Sequence, residues 1–467
     1  MVGITALGGY VPRYRLSGTL LAAVWGSGGG AGERAVANYD EDSLTMASEA
    51  ALNALHGRDH TKIGACFFAS TTPPYLEKST ATLLATVADL APDVLTADLG
   101  GSLRCGTTAL RLALATVAAG LVTRALVAAA DMRAAAPGTP EELQWGDGAG
   151  AVIVGSDDVI ASYEGGYTTS REFSDVWRMP GDRYVNVLPD MTFVKGYGLD
   201  RHIPEAVDGV LKATGRKRED VAKLVLYGPD ARTHAALARQ LKLRESALPK
   251  EPVIGRAGNT GSASCLLGLA AALEESKPGD QVLVVSYGSG AEALLFQCTD
   301  QLPQTSIHRP VSAQLAAGKP LAHYGKVLNF RRHVETEVIR AFTSVPTMVR
   351  EEKQDLRLYG QRCTHCGAVS YPRRQLCWQC SSNDLADYKI SRRGKVFTFA
   401  KDHLVPNPDP PTIMVSADLD GGGRFYAQLT DCDPSAVDFE LPVELGLRRI
   451  HEGDGLINYF WKFRPLL

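Results

Sequence analysis

The sequence has little of what marks nucleic-acid-binding, membrane or disulfide-rich proteins. Its 49 Lys and Arg are balanced by 52 Asp and Glu, giving a formal net charge of -3, and the basic residues are scattered instead of forming runs. No uninterrupted apolar run approaches the ~20 residues that span a bilayer. The first residues lack the basic start and cleavage region of a signal peptide. Nine cysteines in 467 residues are too few for a disulfide scaffold. We therefore expect a cytoplasmic protein that binds no nucleic acid and no membrane, and that acts on a small molecule or another protein.

The length and the apolar pattern indicate more than one domain. The 467 residues far exceed the ~150 residues of a typical domain. Over residues 1–310, short apolar strands alternate with alanine-rich helices, among them predicted helices at 42–55, 80–90 and 106–119. This alternation predicts a layered α/β domain with largely buried strands. Segment 160–204 is polar and aromatic without clear periodicity, so it is either an insertion that covers substrate or an ordinary surface excursion.

The first candidate nucleophile lies in residues 97–110, where an apolar strand leads through glycines into an alanine-rich helix. Cys105 stands near the predicted start of that helix, where the helix dipole and free backbone N–H groups stabilise a thiolate. A small buried cysteine in this position also fits as a packing residue. Both interpretations of Cys105 stay open at this point.

The C-terminal third carries a metal-binding pattern. After a linker with a predicted helix at 311–358, two Cys-x-x-Cys pairs fall within 359–385, and each pair turns two sulfurs inward. A closed set of four thiolates predicts a structural zinc ion. The predicted ligands are Cys363, Cys366, Cys377 and Cys380. Residues 386–467 contain short alternating strands separated by glycine turns, which predicts a five-stranded OB-fold barrel. This barrel lacks a basic, aromatic-lined face, so we interpret it as a scaffold.

Five motifs in the first 300 residues resemble the archaeal-type 3-hydroxy-3-methylglutaryl-CoA synthases of the thiolase superfamily. They are residues 10–16, 38–43, 145–150, 258–260 and 286–290. The C-terminal third resembles the zinc-ribbon and OB-fold family that accompanies thiolase-like enzymes, either fused or as a separate subunit. The resemblance implies a five-layer α-β-α-β-α fold, a homodimer formed through the thiolase-like domain, and a pantetheine tunnel to a buried site. The implied substrate is an acyl-CoA or acyl-carrier thioester.

At the catalytic positions the sequence departs from the family motifs. The nucleophile motif, laid on residues 98–110 without gaps, places Leu103 where the cysteine belongs. In the same way Thr71 takes the position of the general acid/base glutamate and Tyr227 that of the histidine, whereas Asn259 is retained. Leucine is no nucleophile, and tyrosine titrates near ~10 unless its environment shifts the pKa. Standard synthase chemistry is therefore not expected.

The first functional hypothesis is a carbon-carbon lyase or synthase of aldol or retro-aldol type that acts on a β-hydroxyacyl thioester without a covalent cysteine intermediate. Such a reaction needs a group that moves the β-hydroxyl proton and donors that stabilise an enolate. Tyr227, with Tyr75 or His234, is the candidate for the proton. Asn259 and the N–H groups of residues 102–106 are candidates for the oxyanion. The candidate substrate-binding residues are Thr71, Leu103, Gly106, Tyr287 and Gly288.

Two alternatives belong to other classes. An acyltransferase or Claisen-type synthase could use Cys105 as a displaced nucleophile, although two residues along a helix rotate a side chain by roughly 200°. A non-catalytic module could bind an acyl-CoA or a partner subunit. Tyr227 would then be a tunnel-wall residue, and His234 a surface residue of its helix. The aromatic residues Trp177 and Tyr184 favour a bulky or aromatic substrate.

Overall fold

The chain folds as two compact units. The computed structural model describes residues 1–26, 30, 32–249, 251–304, 307–335, 341 and 343–466. The N-terminal unit comprises Met1–Ala37 and Asp42–Tyr324, and the C-terminal unit comprises Asn38–Glu41 and Gly325–Leu467. Four residues from the N-terminal sequence thus belong to the C-terminal unit. Among the described helices, none combines the length and the apolar character needed to cross a membrane.

A nine-stranded mixed sheet forms the centre of the N-terminal unit. Its strands are β1 (Gly3–Tyr10), β2 (Ile63–Ala69), β3 (Leu95–Leu99), β4 (Arg124–Asp131), β5 (Gly148–Gly155), β6 (Ala161–Ser170), β7 (Val221–Leu226), β8 (Gln281–Tyr287) and β9 (Gly290–Cys298). They lie in the order β7-β8-β9-β6-β1-β5-β4-β2-β3. Strands β1, β4 and β5 are buried along their whole length, as expected for apolar runs covered on both faces. The predicted layered α/β domain is confirmed.

One prediction about this sheet was wrong. Residues 161–170 were assigned to an aperiodic excursion, but they form β6, which pairs with β9 and, through two residue pairs, with β1. The alternation of β6 is interrupted by Gly165 and Gly166, and its register with β9 shifts between Leu295 and Phe296. These irregularities hide the strand from a pattern of period two. The excursion begins only after Ser170 and contains the short paired strands Val176–Trp177 and Asn186–Val187.

The described part of the N-terminal unit contains seven helices of eight or more residues. They are α1 (Gly18–Trp25), α2 (Ser43–Leu55), α3 (Thr80–Val87), α4 (Cys105–Ala118), α5 (Asp200–Thr214), α6 (Ala231–Gln240) and α7 (Ser264–Glu274). The unit also contains the short helices Glu141–Gln144, Met191–Phe193, Val253–Ala257 and Val311–Ala316, and the small sheet Tyr14–Ser17, Glu33–Val36 and Lys319–Pro320.

Local sequence explains where these helices begin and end. Helix α2 begins with a capping box, in which the Asp42 carboxylate accepts from the Thr45 N–H and the Thr45 hydroxyl oxygen accepts from the Asp42 N–H. Helix α3 ends at Val87, before the predicted residue 90, because Asp89 adopts a left-handed φ of 56°. Helix α7 packs closely on β5, since a Cβ on Gly150 would lie 2.5 Å from the Leu267 nitrogen.

The C-terminal unit contains a small three-stranded sheet and a closed five-stranded barrel. The small sheet consists of Tyr359–Cys363, Val369–Ser370 and Leu385–Lys389. The barrel consists of Arg393–Asp402, Thr412–Leu419, Arg424–Leu429, Leu456–Pro465 and Pro442–Gly453 in that spatial order. It confirms the prediction of an OB-like barrel. Helices Tyr324–Phe330, Val345–Arg350 and Glu352–Asp355 precede the small sheet, and residues 336–340 and 342 of the predicted linker lie outside the described residues.

Candidate functional site

Tyr227 and Asn259 come together in the interior of the N-terminal unit. Tyr227 follows β7 and is buried, and Asn259 Nδ2 donates to its hydroxyl oxygen at 3.2 Å. The Asn259 amide is held in turn, because its Oδ1 accepts from the Gly261 N–H at 2.9 Å. Burial raises the pKa of Tyr227 to about 12, against an opposing effect of the nearby Arg133 charge. Tyr227 is therefore a neutral hydroxyl at neutral pH, with Asn259 directed at its oxygen.

The loop after β2 is fixed to a buried carboxylate. Asp131, at the end of β4, is fully buried and accepts hydrogen bonds from Ser70, Thr71, Thr72 and Ser262. The Thr71 hydroxyl donates to Asp131 Oδ2 at 2.9 Å, and the Thr71 N–H donates to Oδ1 at 2.7 Å. Thr71 thus serves as a hydrogen-bond donor to a saturated carboxylate, which anchors this loop beside the strand ends.

The start of α4 contains the two positions considered for a nucleophile. Leu103 precedes the helix, and its side chain is 7% exposed. Cys105 is the first helical residue and is buried, and burial, with the charge of Asp131, raises the pKa of its thiol. The helix dipole does not overcome this desolvation, so the Cys105 sulfur is a protonated thiol at neutral pH. This environment is unlike that of a reactive cysteine.

Backbone groups at this helix start are partly engaged. The Arg104 N–H donates to Ser102 Oγ at 3.4 Å, and the Cys105 N–H donates to the Ser102 carbonyl at 3.0 Å. Within the described part of the chain, the Leu103 N–H has no acceptor. Gly106 faces the Ser262 carbonyl, which leaves no room for a Cβ. Of the N–H groups predicted at residues 102–106, those of Ser102, Leu103 and Gly106 have no backbone acceptor among the described residues.

The loop after β8 closes over the same helix start. Ser102 Oγ donates to the Gly288 carbonyl at 3.0 Å. Gly288 has a φ of 152°, and a Cβ there would lie 2.7 Å from Ser102 Oγ and 3.0 Å from the Leu103 nitrogen. Glycine is needed for this close approach. Leu103 and Gly288, two of the predicted substrate-binding residues, are therefore neighbours.

A row of aromatic rings extends from Tyr227 towards the surface. The Tyr287 ring stacks on Tyr227 with centroids 5.9 Å apart, and His202 stacks on the other side of Tyr287 at 6.2 Å. Phe173 meets His202 edge-on at 5.8 Å. Two more rings, Phe193 and the exposed Tyr197, continue the row at 5.7 and 4.8 Å. The row connects the buried tyrosines with the excursion after β6.

Two charged residues near Tyr227 were not predicted from the sequence. The guanidinium of Arg133 stacks on the Trp145 ring at 3.9 Å, and the residue is 3% exposed. Asp175, from the excursion, faces the Tyr287 hydroxyl, and burial raises the pKa of its carboxyl. Arg133 follows the end of β4 by two residues, and strand-end placement was the signal that could have identified it.

The remaining two predicted catalytic residues, Tyr75 and His234, differ from each other in burial. Tyr75 lies half-buried in the loop after β2, with the Lys78 ammonium 5.2 Å from its ring centroid. His234 is buried, so its interpretation as a surface residue was wrong. The first turn of α6 packs on Gly228, where the His234 Cβ leaves no space for a side chain. Burial lowers the pKa of His234, and its ring lines a cavity of about 90 Å³ together with Thr260 and Ser264.

The four cysteines of the C-terminal unit converge as the spacing predicts. Their sulfur atoms all lie within 4.8 Å of one another, and the Cys363–Cys380 and Cys366–Cys377 pairs are each 3.6 Å apart. Tetrahedral zinc with sulfurs at about 2.3 Å requires sulfur–sulfur distances of nearly 4 Å. The residues present therefore fit a four-thiolate zinc ion.

The nine-stranded mixed sheet, with helices packed against it, defines a thiolase-like α/β fold. Solved structures support this fold. An MvaS structure with 3-hydroxy-3-methylglutaryl coenzyme A matches with a TM-score of 0.60 at 22% identity, covering 73% of this chain and 94% of that one. FabH, the 3-oxoacyl-(acyl carrier protein) synthase III from Pseudomonas aeruginosa PAO1, matches with a TM-score of 0.57 at 24% identity, covering 64% and 98%.

Sequence comparison then identifies the family. The hydroxymethylglutaryl-CoA synthase of Methanopyrus kandleri is 34% identical over 345 residues, covering 72% of this chain and 98% of that protein. The Methanocaldococcus jannaschii enzyme is 32% identical, covering 72% and 100%. This chain belongs to the hydroxymethylglutaryl-CoA synthase family of the thiolase superfamily.

Three family models match separate parts of the chain. Residues 211–297 match the C-terminal domain of 3-oxoacyl-[acyl-carrier-protein] synthase III. Residues 350–386 match the rubredoxin-like zinc ribbon domain of ChsH2, and residues 387–448 match the C-terminal OB-fold domain of ChsH2. The predicted fusion of a synthase-like domain with a zinc ribbon and an OB fold is confirmed.

Proposed function

We propose that the protein is an enzyme that makes or breaks a carbon-carbon bond in a β-hydroxyacyl thioester by aldol or retro-aldol chemistry, without an acyl-cysteine. The family membership supports an acyl-CoA or acyl-carrier thioester as substrate. The observation that carries the proposal is the contact between Asn259 and the Tyr227 hydroxyl at the end of β7. In this mechanism Tyr227, and not a cysteine, performs the central step.

Tyr227 moves the proton of the β-oxygen. Because burial raises the pKa of Tyr227 to about 12, its hydroxyl is a proton donor at neutral pH. In the synthetic direction it donates to the carbonyl oxygen of the acceptor as the new bond forms. In the cleavage direction the electron pair of the broken bond passes to the α-carbon of the thioester enolate. The β-hydroxyl proton passes to the Tyr227 oxygen as the neutral tyrosine gives its own proton to that α-carbon. Asn259 fixes the tyrosine oxygen in both directions.

The thioester oxygen needs a separate group of donors. The Leu103 N–H stands beside Gly288 at the start of α4, where the helix dipole favours negative charge. An enolate oxygen placed there is stabilised without any covalent bond to the protein. Thr71, Gly106 and Tyr287 shape the surrounding walls in this proposal.

The alternative nucleophile is disfavoured by its surroundings. Cys105 is buried and its thiol pKa is raised, whereas a nucleophilic cysteine requires a lowered one. An acyltransferase or Claisen-type synthase based on Cys105 would have to expose and deprotonate this sulfur. No observation on the aromatic row or the Tyr227 pair favours that reaction.

Three further inferences accompany the proposal. We infer a structural zinc ion at Cys363, Cys366, Cys377 and Cys380, supported by their convergence and by the zinc ribbon family match. We infer a homodimer formed through the thiolase-like domain. None of the nine cysteines forms a disulfide, which supports our inference of a reducing, cytoplasmic location.

A comparison of variants tests the mechanism. Candidate β-hydroxyacyl-CoA esters are incubated with the wild type, Tyr227→Phe and Cys105→Ala, and the release of an aldehyde, a ketone or an oxo acid is measured. We expect Tyr227→Phe to lower kcat by about 10²- to 10⁴-fold, and Cys105→Ala to leave it nearly unchanged. Tyr324→Phe is the matched control, because Tyr324 is another buried tyrosine whose hydroxyl is hydrogen-bonded to a side chain, in this case by donating to Glu142.

Two outcomes would contradict the proposal. Activity that survives Tyr227→Phe but not Cys105→Ala, with an acyl adduct on Cys105 by intact mass, would indicate acyl transfer. Binding of CoA esters without turnover in any variant would indicate a non-catalytic module.

A further inference from the structure

Arg133 differs from the other buried arginines of the described chain. Arginine is buried at six described positions, Arg15, Arg34, Arg124, Arg133, Arg448 and Arg464. Five of them donate to carboxylates or backbone carbonyls, namely Arg15, Arg34, Arg124, Arg448 and Arg464. Arg133 Nη1 is enclosed in protein and has no hydrogen-bond partner among the described residues. The Arg133 guanidinium lies over the face of the Trp145 ring, 3.9 Å from the ring centroid.

The neighbouring carboxylates do not neutralise this guanidinium directly. Both oxygens of Asp131 are occupied by the donors from Ser70, Thr71, Thr72 and Ser262. Asp175 Oδ1 accepts from the Val176 N–H at 3.0 Å. In the described residues neither carboxylate comes within ion-pair distance of Arg133. A second cation, Arg178, lies on the same side, and its guanidinium donates to the Thr71 carbonyl at 3.0 Å.

A buried cation without a partner is unfavourable unless something else supplies the negative charge. Removing a guanidinium from water without compensation costs several kcal/mol, and this is recovered when an anion with acceptor oxygens enters the site. The planar fork of arginine matches the two oxygens of a carboxylate. Trp145 holds the guanidinium in place from its other face, so the free N–H groups are presented in a fixed orientation.

We propose that Arg133 binds a carboxylate on the substrate, so that the carbonyl partner in the aldol step is an oxo acid. This inference rests on the proposed function, because it assigns the second substrate of the same site. Contacts link Arg133 to Tyr227, because Trp145, whose ring the guanidinium faces, forms a β-bridge with Asn259, and Asn259 Nδ2 donates to the Tyr227 hydroxyl oxygen. An oxo acid held there by its carboxylate presents its carbonyl oxygen to the Tyr227 hydroxyl.

The ion pair between Arg133 and the substrate carboxylate takes the place of a covalent attachment to a cysteine. In a site that forms no acyl-cysteine, the electrophile needs another attachment, and the Arg133–carboxylate pair supplies it. In cleavage, the bond between the α- and β-carbons breaks, and the β-hydroxyl becomes the oxo group. The β-hydroxyl proton passes to the Tyr227 oxygen while the neutral tyrosine gives its own proton to the α-carbon, which yields the acyl thioester, so the step needs no oxidant, reductant or further base.

Binding of small oxo acids tests this inference separately from turnover. The full-length protein with CoA bound is titrated calorimetrically with pyruvate, oxaloacetate and acetoacetate, and with methyl acetoacetate as the uncharged probe. We expect the acids to bind the wild type at least tenfold more tightly than the ester. We expect Arg133→Gln to weaken their binding by about 10- to 100-fold, and Arg133→Lys to weaken it less, because it keeps the charge.

Arg124→Gln is the matched control. Arg124 is buried in the same unit, but it pairs with Asp157 and Asp158. Its substitution should leave oxo-acid binding unchanged. Thermal denaturation of each variant establishes that it is folded. If Arg133→Gln does not fold, Arg133→Lys tests the carboxylate site in its place.

The possible results separate the inference from the proposed function. Acid binding that depends on Arg133, without turnover, supports the carboxylate site and contradicts the aldol reaction. Turnover of oxo acids that is equal in the wild type and Arg133→Gln supports the aldol reaction and overturns the carboxylate site. Failure of every acid to bind the wild type also overturns it.

Discussion

Two fully enclosed arginines, one in each unit, are treated in opposite ways. Arg448, in the C-terminal barrel, is 0% exposed and pairs with Asp431 at 2.7 Å, with Glu41 at 3.4 Å and with Asp40 at 3.5 Å. Arg133, in the N-terminal unit, has no such partner among the described residues. A charge with a complete set of counter-ions belongs to the architecture. Arg133 lacks such a set among the described residues, and for this reason we assign it to a ligand.

The cysteines of the two units differ in the same way as the two arginines. The four sulfurs of the C-terminal unit form a complete ligand set, whereas Cys105 is a lone thiol kept protonated by burial. The C-terminal unit therefore places carboxylates around its buried Arg448 and brings four of its thiols together, whereas Arg133 and Cys105 of the N-terminal unit have neither arrangement. The following experiments would strengthen or remove this distinction.

Removal of the metal should have the largest effect. We expect Cys377→Ser, or a strong chelator, to abolish zinc binding and to unfold residues 360–385, because a structural zinc site contributes on the order of 10 kcal/mol to folding. The fold of the N-terminal unit should persist. Zinc content and hydrogen exchange of the full-length protein measure both effects. Cys432→Ser, in the same unit but outside the cluster, is the control. Unchanged exchange in a zinc-free protein would disprove the role of the metal.

A broken ion-pair set should have the next largest effect. Asp40 accepts from Lys462 Nζ at 2.8 Å and lies beside Arg448. We expect Asp40→Asn to lower the free energy of unfolding of the C-terminal unit by about 3–5 kcal/mol, because it leaves buried cations uncompensated. Urea denaturation measures the change. A loss below 1 kcal/mol, typical of surface pairs, would mean that the charges are not desolvated in solution.

Lowering the pH should weaken the ion pairs around Arg448 more gradually than a substitution does. Burial alone would raise the pKa of Asp431, but Arg448 and the Asn38 amide outweigh it and hold this pKa below its ordinary value. Its contribution to stability is therefore present above the unfolded-state pKa of about 3.9 and is lost as the pH falls through the lower folded-state pKa. Urea denaturation between pH 6 and 2.5 should show this loss in the wild type. The Asp431→Asn variant should depend less on pH over that interval, and an identical profile would argue against the pairing.

Removal of the unpaired charge should have the smallest effect, and in the opposite direction. Met in place of Arg133 keeps apolar contact with Trp145 and removes a desolvated cation. We expect the ligand-free Arg133→Met protein to be as stable as the wild type or more stable by about 1 kcal/mol. Thermal denaturation checks this. A marked loss of stability would show that Arg133 has a structural role and would remove the contrast with Arg448.

Local patterns in the sequence were sufficient to predict the architecture. The buried strands, the capped helix α2, the spaced cysteines and the barrel strands each have a signature within a few residues. The predicted synthase-like domain with its zinc ribbon and OB fold is confirmed for that reason. Strand β6 was missed because glycines and a register shift interrupt its alternation.

The groups that complete the site have no such signature. Arg133 and Asp175 are 42 positions apart, and only folding brings their charges into the neighbourhood of Tyr227. The burial of His234 follows from the packing of α6 on Gly228, which helix periodicity alone did not indicate. The assignments of Tyr227, Asn259, Thr71 and Leu103 stay predictions, because their roles depend on chemistry that a fold does not specify.

The four residues Asn38–Glu41 also affect how the molecule is made. Asp40 and its partner Lys462 are 422 positions apart. At synthesis rates of about 5–20 residues per second, roughly 20 to 80 s separate their emergence from the ribosome. The acidic side chains must remain hydrated during that interval, and the barrel cannot acquire its full charge set until the chain is almost finished. Any ribosomal stalling or premature termination before Arg448 would leave Asp40 and Glu41 without these counter-ions, in a nascent chain whose N-terminal unit is already synthesised.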